Sequence, residues 1–226
     1  MLELVRLLQL ASPVLPVGAY TYSQGLEWVV EAGLVKDEAT VEGWIGDVLA
    51  WSVAGFEAPL VGRLMEAWSA SEHEEVSRLN DDFLASRETA ELRAETAQMG
   101  YSCARLLADL PAYTAQPGWA ARLAAVETPA FPTAWTCAAA AWRIPPEMAL
   151  SAYLWAWLEN QVMAAVKAVP LGQSAGQRLL SGLGARIPAL AQAALVLPEE
   201  AWSNYTPGLA LASSRHETQY SRLFRS

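Results

Sequence analysis

The sequence predicts an all-α chain folded as a single domain of roughly nine to eleven helices. Three observations lead there. Apolar residues recur at helical spacing along most of the 226 residues. No segment shows the alternation of a half-buried strand, and no internal repeat of fixed period is present. Proline and glycine clusters separate the periodic stretches.

Composition narrows the class further. Hydrophobic residues make up 53%, with ten tryptophans, which is more apolar surface than one monomer core needs. A stable partner or self-association, as in a homodimer, would cover the excess. The net charge of −9 disfavours a phosphate backbone, so nucleic acid is not an expected partner. The two cysteines, Cys103 and Cys137, lie far apart and lack CxxC spacing. Neither a zinc site nor a disulfide framework follows, and free thiols point to the cytoplasm. Met1 to Leu10 carries Glu3 and Arg6 and does not read as a signal peptide. The longest charge-free apolar runs, such as Met148 to Leu158, fall short of the roughly 18 residues of a membrane span.

In chain order, Leu4, Leu7 and Leu8 mark a first helix that ends at Ser12-Pro13. A stiff loop, SPVLPVGAYTYSQGLEW, follows. Ser23 is placed to cap the next helix, with Glu27 one turn in. Tyr20 and Tyr22 sit beside that start, as buried hydroxyls with partners or as a contact surface. Val41, Trp44, Ile45, Val48, Leu49, Ser52 and Phe56 keep a period near 3.6. Pro59 is placed to open a further helix at its first position. Glu72 to Asp109 reads as one long pattern. Ala90, Ala94, Ala97, Tyr101, Ala104 and Ala108 form a small-residue stripe suited to close packing. Arg87, Glu91, Glu95, Gln98, Ser102, Arg105 and Asp109 form the opposite, solvated stripe, with Arg87 and Glu91 spaced to pair.

Pro111, Pro117 and Gly118 break that pattern, and Pro129 to Pro132 break it again. Thr133 to Trp142 is an alanine-rich helix. Glu147 to Val169 is apolar nearly all round and belongs at the centre. Its polar residues Glu159, Asn160, Gln161 and Lys167 need partners at helix ends or in the proline loop. Gly172, Gly176, Gly182 and Gly184 fit neither a P-loop nor a dinucleotide fingerprint and read as close helix packing. Pro188 to Leu197 forms the last core helix. Residues 206–226 form a C-terminal segment, opened by Pro207, that reads either as a frayed terminus with surface arginines or as a partner-docking element. On a helix, Arg215, Gln219 and Arg222 would share one stripe, and His216, Tyr220 and Leu223 the next. Three arginines against Glu217 in the last 12 residues suit an acidic surface.

The sequence offers no catalytic signature. His73 lies in a charged surface turn, HEE is not HExxH, and no Gly-x-Ser-x-Gly elbow is present. His216 with Cys103 or Cys137 has no metal-ligand spacing. A helical hydrolase using His216 and Glu217 is the alternative, although neighbours on a helix point about 100° apart. A helical protein of the membrane surface is a third class, disfavoured by the negative charge.

Four stretches together resemble the urease accessory protein UreF family. They are LLQLASPVLPVGAYTYSQGLEW at 7–28, SRETAELRAE at 86–95, VPLGQSAGQ at 169–177 and SRHETQYSRLFRS at 214–226. The resemblance implies an all-helical dimer that acts in nickel insertion into urease without catalysis, cofactor or metal of its own. It implies binding to the accessory protein UreD (also called UreH), then to the nickel-carrying GTPase UreG, then to apo-urease. Gating of GTP hydrolysis, or routing of the metal through an internal passage, is the role the family suggests. The residues expected to bind partners are Tyr20, Tyr22, Glu27, Arg215, His216, Glu217, Gln219, Tyr220, Arg222 and Phe224. Tyr20 and Arg222 are expected to lie close together on the GTPase-binding surface.

Overall fold

The computed structural model describes residues 1–226. Its longest element is a continuous rod from Glu38 to Ala70. Asp37 and Thr40 start it with reciprocal capping bonds, Thr40 N to Asp37 Oδ1 at 2.9 Å and Asp37 N to Thr40 Oγ1 at 3.1 Å. Helix α3 (Glu38–Asp47) passes through a π-helical stretch (Val48–Glu57) into α4 (Ala58–Ala70). Pro59 therefore does not open a separate helix. Proline lacks the N–H that would bond the Gly55 carbonyl, and its ring crowds that carbonyl. The wider turn relieves the crowding, and Ser203 N donates to Gly55 O at 3.0 Å instead.

The predicted long pattern from Glu72 also divides. Helix α5 (His73–Ala85) stops, and Thr89 caps α6 (Ala90–Asp109) by accepting from Leu92 N at 3.2 Å. The alanine stripe of α6 is not its buried face. Leu92, Glu95, Thr96, Met99, Gly100, Cys103 and Leu107 are buried instead. The larger side chains remove more apolar area from water than alanine does. Gly100 fixes this orientation, because a Cβ there would lie 1.9 Å from the Pro129 carbonyl oxygen. Arg87 does not pair with Glu91. It reaches Glu57 at 3.5 Å and lies 4.2 Å over the Phe83 ring.

Short helices α7 (Pro111–Thr114) and α8 (Trp119–Ala124) lead to α9 (Phe131–Ala141), which packs between α4 and α6. Helix α10 (Pro146–Ala168) contacts the rod, α2 (Leu26–Glu31) and the pair α11 (Gln173–Gly184) and α12 (Ile187–Val196). Gly176 and Gly184 are close-packing glycines, since a Cβ on either would sit 3.0 Å from Val166 or Trp155. Gly172 and Gly182 meet nothing so near. With α1 (Leu2–Leu10), the terminal α13 (Pro207–His216), and α11–α12 taken as one bent helix, the chain has eleven helices and no strand.

Two helices, Glu38–Ala70 and Gln173–Val196, are long and apolar enough to cross a membrane by length and composition. The first is largely built into the core, and the second carries Arg178 bonded to Glu38 at 2.6 Å. Trp68, Trp135 and Trp142 are buried, whereas Trp51 remains 67% exposed.

Packing at Gly100 gives a direct test of the α6 face. Gly100→Ala is expected to cost several kcal/mol or prevent folding, because the clash is with backbone. Gly43→Ala, where a Cβ meets nothing within 4 Å, is expected to stabilise by about 0.5–1 kcal/mol. Thermal and urea denaturation of the two variants would check both signs.

Candidate functional site

The two motif-rich ends of the chain fold onto each other. Gly18 (φ +83°) opens the 3₁₀ turn Ala19–Thr21. Gln24 and Gly25 then both take left-handed conformations, φ +54° and +79°, before α2 begins. Gly25 is required twice over. Its φ suits glycine, and a Cβ would lie 2.8 Å from Ser213 N, where α13 crosses.

This turn aims the Glu27 side chain at the tail. Glu27 Oε1 accepts from Leu223 N at 2.7 Å, and Oε2 accepts from Phe224 N at 3.0 Å. The same carboxylate faces His216 Nε2 at 3.3 Å. His216 has no exposed surface. Its Nδ1 lies 2.7 Å from Glu91 Oε2, and the other Glu91 oxygen accepts from Arg222 Nη1 at 2.7 Å. A chain of alternating groups, Glu27, His216, Glu91 and Arg222, thus joins α2, α13, α6 and the tail. Glu217 adds a further tie. Its Oε1 accepts from Ala90 N at 2.9 Å and Glu91 N at 3.3 Å, at the N-terminus of α6, where anions are favoured.

The last residues close against the N-terminal loop. Arg225 N donates to Thr21 O at 2.8 Å, and Ser23 donates to Ser226 O through both its N and its Oγ, each at 2.6 Å. Phe224 is buried, and Lys167 Nζ lies 5.8 Å from its ring and 5.9 Å from that of Tyr20. Asn160 donates to the Tyr22 carbonyl at 3.2 Å, as its place opposite the proline loop leads one to expect.

The ten residues expected to bind partners divide in two. Tyr22, Glu27, His216 and Phe224 are buried and shape the tail. Tyr20, Arg215, Glu217, Tyr220 and Arg222 are exposed, and Gln219 is half-buried. The helix does not continue beyond His216, so the two expected stripes through Gln219, Tyr220 and Arg222 do not form. The bonds of Glu217 and Glu27 replace that helix. Tyr20 and Arg222 share no hydrogen bond. Arg222 is held by Glu91, and Tyr20 connects to the tail through Lys167 and Phe224. Nor do His216 and Glu217 face one substrate, since one is enclosed between carboxylates and the other caps α6.

Beneath the loop lies a cavity between the rod, α6 and α10, with Gln24, Glu57, Arg87, Glu95, Tyr153 and Glu159 among its lining. The Tyr153 hydroxyl donates to Glu57, and burial pushes that phenol well above its ordinary value. Burial also raises Glu159. No three His, Cys, Asp or Glu side chains converge as metal ligands. Cys103 and Cys137 are buried thiols, both pushed up to about 12 mainly by burial.

The family model described as UreF matches residues 35–184. The chain belongs to the UreF family. It is 74% identical over 226 residues to the urease accessory protein UreF of Azoarcus sp. (strain BH72), covering 100% of this chain and 97% of that protein. The UreF of Dechloromonas aromatica (strain RCB) is 61% identical over 225 residues, covering 100% of this chain and 98% of that protein. A bifunctional urease accessory protein UreEF of Bordetella bronchiseptica is 48% identical over 227 residues, covering 99% of this chain but 52% of its own length. As a UreF urease accessory protein, the chain supports urease maturation, which ends in nickel insertion.

In this UreF chain the sequence left Glu91 and Glu95 on a solvated face and gave Gln24 and Ser213 no role, whereas Lys167 does reach the proline loop at Tyr20. Ser213 in fact bonds Thr89 through their hydroxyls at 2.7 Å. The available signal was the segment 86–95, whose acidic residues have a purpose only when the tail is placed beside them. Replacing Glu27 tests the tail's anchor. Glu27→Gln keeps size but turns one acceptor into a donor facing a tail N–H, and is expected to cost on the order of 3 kcal/mol. Trypsin cleavage after Arg222 should accelerate severalfold while helix content is kept. Unchanged cleavage would show that Glu27 does not hold the tail.

Proposed function

We propose that this UreF chain is a non-catalytic adaptor. It binds UreD (UreH), recruits the nickel-carrying GTPase UreG to apo-urease, and gates GTP hydrolysis and nickel delivery. The observation that carries this reading is the docked tail. Buried groups fix its path, while Tyr20, Tyr220, Leu223 and Arg222 are left exposed around it; Tyr220 is fully exposed and Leu223 is 74% exposed. Exposed aromatic and guanidinium groups on a backbone already fixed by buried bonds suit partner contacts, because little backbone ordering remains to be done. The relatives' description as accessory proteins supports a supporting role rather than a catalytic one.

The same reading includes a homodimer in the cytoplasm. Leu2, Val5 and Leu8 of α1 are each more than half exposed, as is Trp51, and apolar surface of that kind suits protein contacts. The fused relative of Bordetella bronchiseptica supports function inside an assembly, since one chain there combines two urease accessory activities by name.

Recruitment decides the matter. Tyr20→Ala with Tyr220→Ala, in a chain co-expressed with UreD and UreG, is expected to leave melting temperature and UreD binding nearly unchanged. Retention of UreG on size-exclusion chromatography should be lost. Arg222→Ala should do the same at a stability cost of up to about 1 kcal/mol, the usual worth of a part-exposed ion pair. Full recruitment by both variants would overturn the assignment of this surface.

A further inference from the structure

The histidine at the base of the tail has a carboxylate on each side. His216 Nδ1 lies 2.7 Å from Glu91 Oε2, and Nε2 lies 3.3 Å from Glu27 Oε2. A carboxylate oxygen only accepts, whereas a neutral imidazole has one N–H and one bare nitrogen. A neutral ring would therefore turn a lone pair towards a carboxylate oxygen, at a separation that leaves no room for solvent. Only the doubly protonated ring satisfies both contacts. Imidazole also ordinarily holds a proton more tightly than a carboxylate does.

Charge balance leads to the same state. The Glu27 and Glu91 side chains are 8% and 14% exposed, so solvent screens them little. With an imidazolium, His216 and Arg222 balance Glu27 and Glu91. With a neutral ring, one enclosed negative charge is left uncompensated. We propose that the docked tail is a proton latch. An imidazolium at His216, gripped between Glu27 and Glu91, keeps residues 217–226 on the body of the chain, and loss of that proton releases them.

The other charged groups nearby are engaged elsewhere. On α2, Glu31 lies one turn beyond Glu27 and is exposed. On α6, Glu95 is bonded by Gln24 and Ser226, and Arg93 donates to the Arg87 carbonyl at 3.3 Å. On α13, Arg215 is exposed, and Ser213 forms a neutral pair with Thr89. From the tail, Glu217 accepts from the first N–H groups of α6, and Arg222 donates to Glu91. From α10, Lys167 lies against the Phe224 ring. None of these supplies the missing N–H to either carboxylate contact of His216.

The direction follows from the proton count. An imidazole free in water ordinarily gives up its proton near about pH 6.5. Above that pH the latched tail holds one proton that the released tail does not. Latching is therefore favoured on the acid side and weakens as pH rises, by at most about tenfold per pH unit for one proton. Release takes Tyr220 and Arg222 off their fixed path. The latch belongs to the free chain, so its pH response stands or falls apart from which partner meets the exposed face.

The test is amide hydrogen exchange of the full chain at Leu223 and Phe224, whose N–H groups bond Glu27. Their protection, corrected for intrinsic rate, is expected to fall by about tenfold or more from about pH 6.5 to about pH 8.5, while that of α9 holds. Glu91→Gln is the decisive variant. Its amide oxygen can still accept from Arg222, and its NH2 can donate to a bare Nδ1, so a neutral ring is satisfied and the charges balance. Tail protection in Glu91→Gln is expected to be kept and to lose its pH dependence. Constant protection in the unsubstituted chain would overturn the latch. So would an unchanged pH response in Glu91→Gln, or a folded Glu91→Gln chain with its tail unprotected at every pH. Should that variant fail to fold, the nitrogen-15 spectrum of the His216 ring gives a second reading, with exposed His73 as reference. Both ring nitrogens of His216 should carry protons at about pH 7.5, where His73 is mostly neutral. A bare nitrogen beneath a protected tail would reject the proposal.

Discussion

One buried carboxylate, that of Glu27, lets an irregular segment pack like a core element. Residues 217–226 form no helix, so their N–H groups have no internal acceptors, and buried donors must find partners. Glu27 supplies two of them, at Leu223 and Phe224, and stands beside the enclosed His216 ring. With that acceptor in place, Phe224 enters the core and Ser226 reaches Ser23. Glu217 then meets the start of α6. The surface presented by Tyr20, Tyr220 and Arg222 is a consequence of this anchoring.

The anchor depends on the rest of the fold for its position. Gly25 allows α13 to cross α2 within backbone contact, and Gly100 allows residues 129–130 to cross α6. Those crossings bring Glu27 and Glu91 to opposite sides of one histidine. The π-helical turn before Pro59 places Glu57 against Tyr153 and Arg87, which builds the polar wall next to Glu95. Backbone geometry at a few glycines and one proline thus sets the electrostatics of the site.

The fold class and most helix positions were legible because apolar period and proline placement are local properties. Pro59 was misread because its local signal is the same at a helix start and inside a helix widened by a π turn. The α6 face was misread because an alanine stripe and a leucine–methionine stripe both have helical period, and only the crossing at Gly100 chooses between them. The tail's composition marked it as a partner-docking helix, yet the helix stops at His216 and the segment packs on its own chain. Glu27 and Glu217 are far from one another in sequence, and no local pattern reveals that they replace helical hydrogen bonds. His216 read as a partner-binding residue because both carboxylates that enclose it come from other elements.

A docked tail of this kind fits a family of maturation factors, since it sets exposed contact groups around a fixed path. Its chemistry is the arrangement of contact groups, and the carboxylates behind them hold that arrangement. Hydroxyl-radical footprinting of the chain, free and in complex with UreD and UreG, tests this most directly. The account expects Tyr20, Tyr220 and Leu223 to be protected when UreG joins, with Phe224 shielded in both states. Recruitment of UreG with those three side chains as reactive as in the free chain would contradict it.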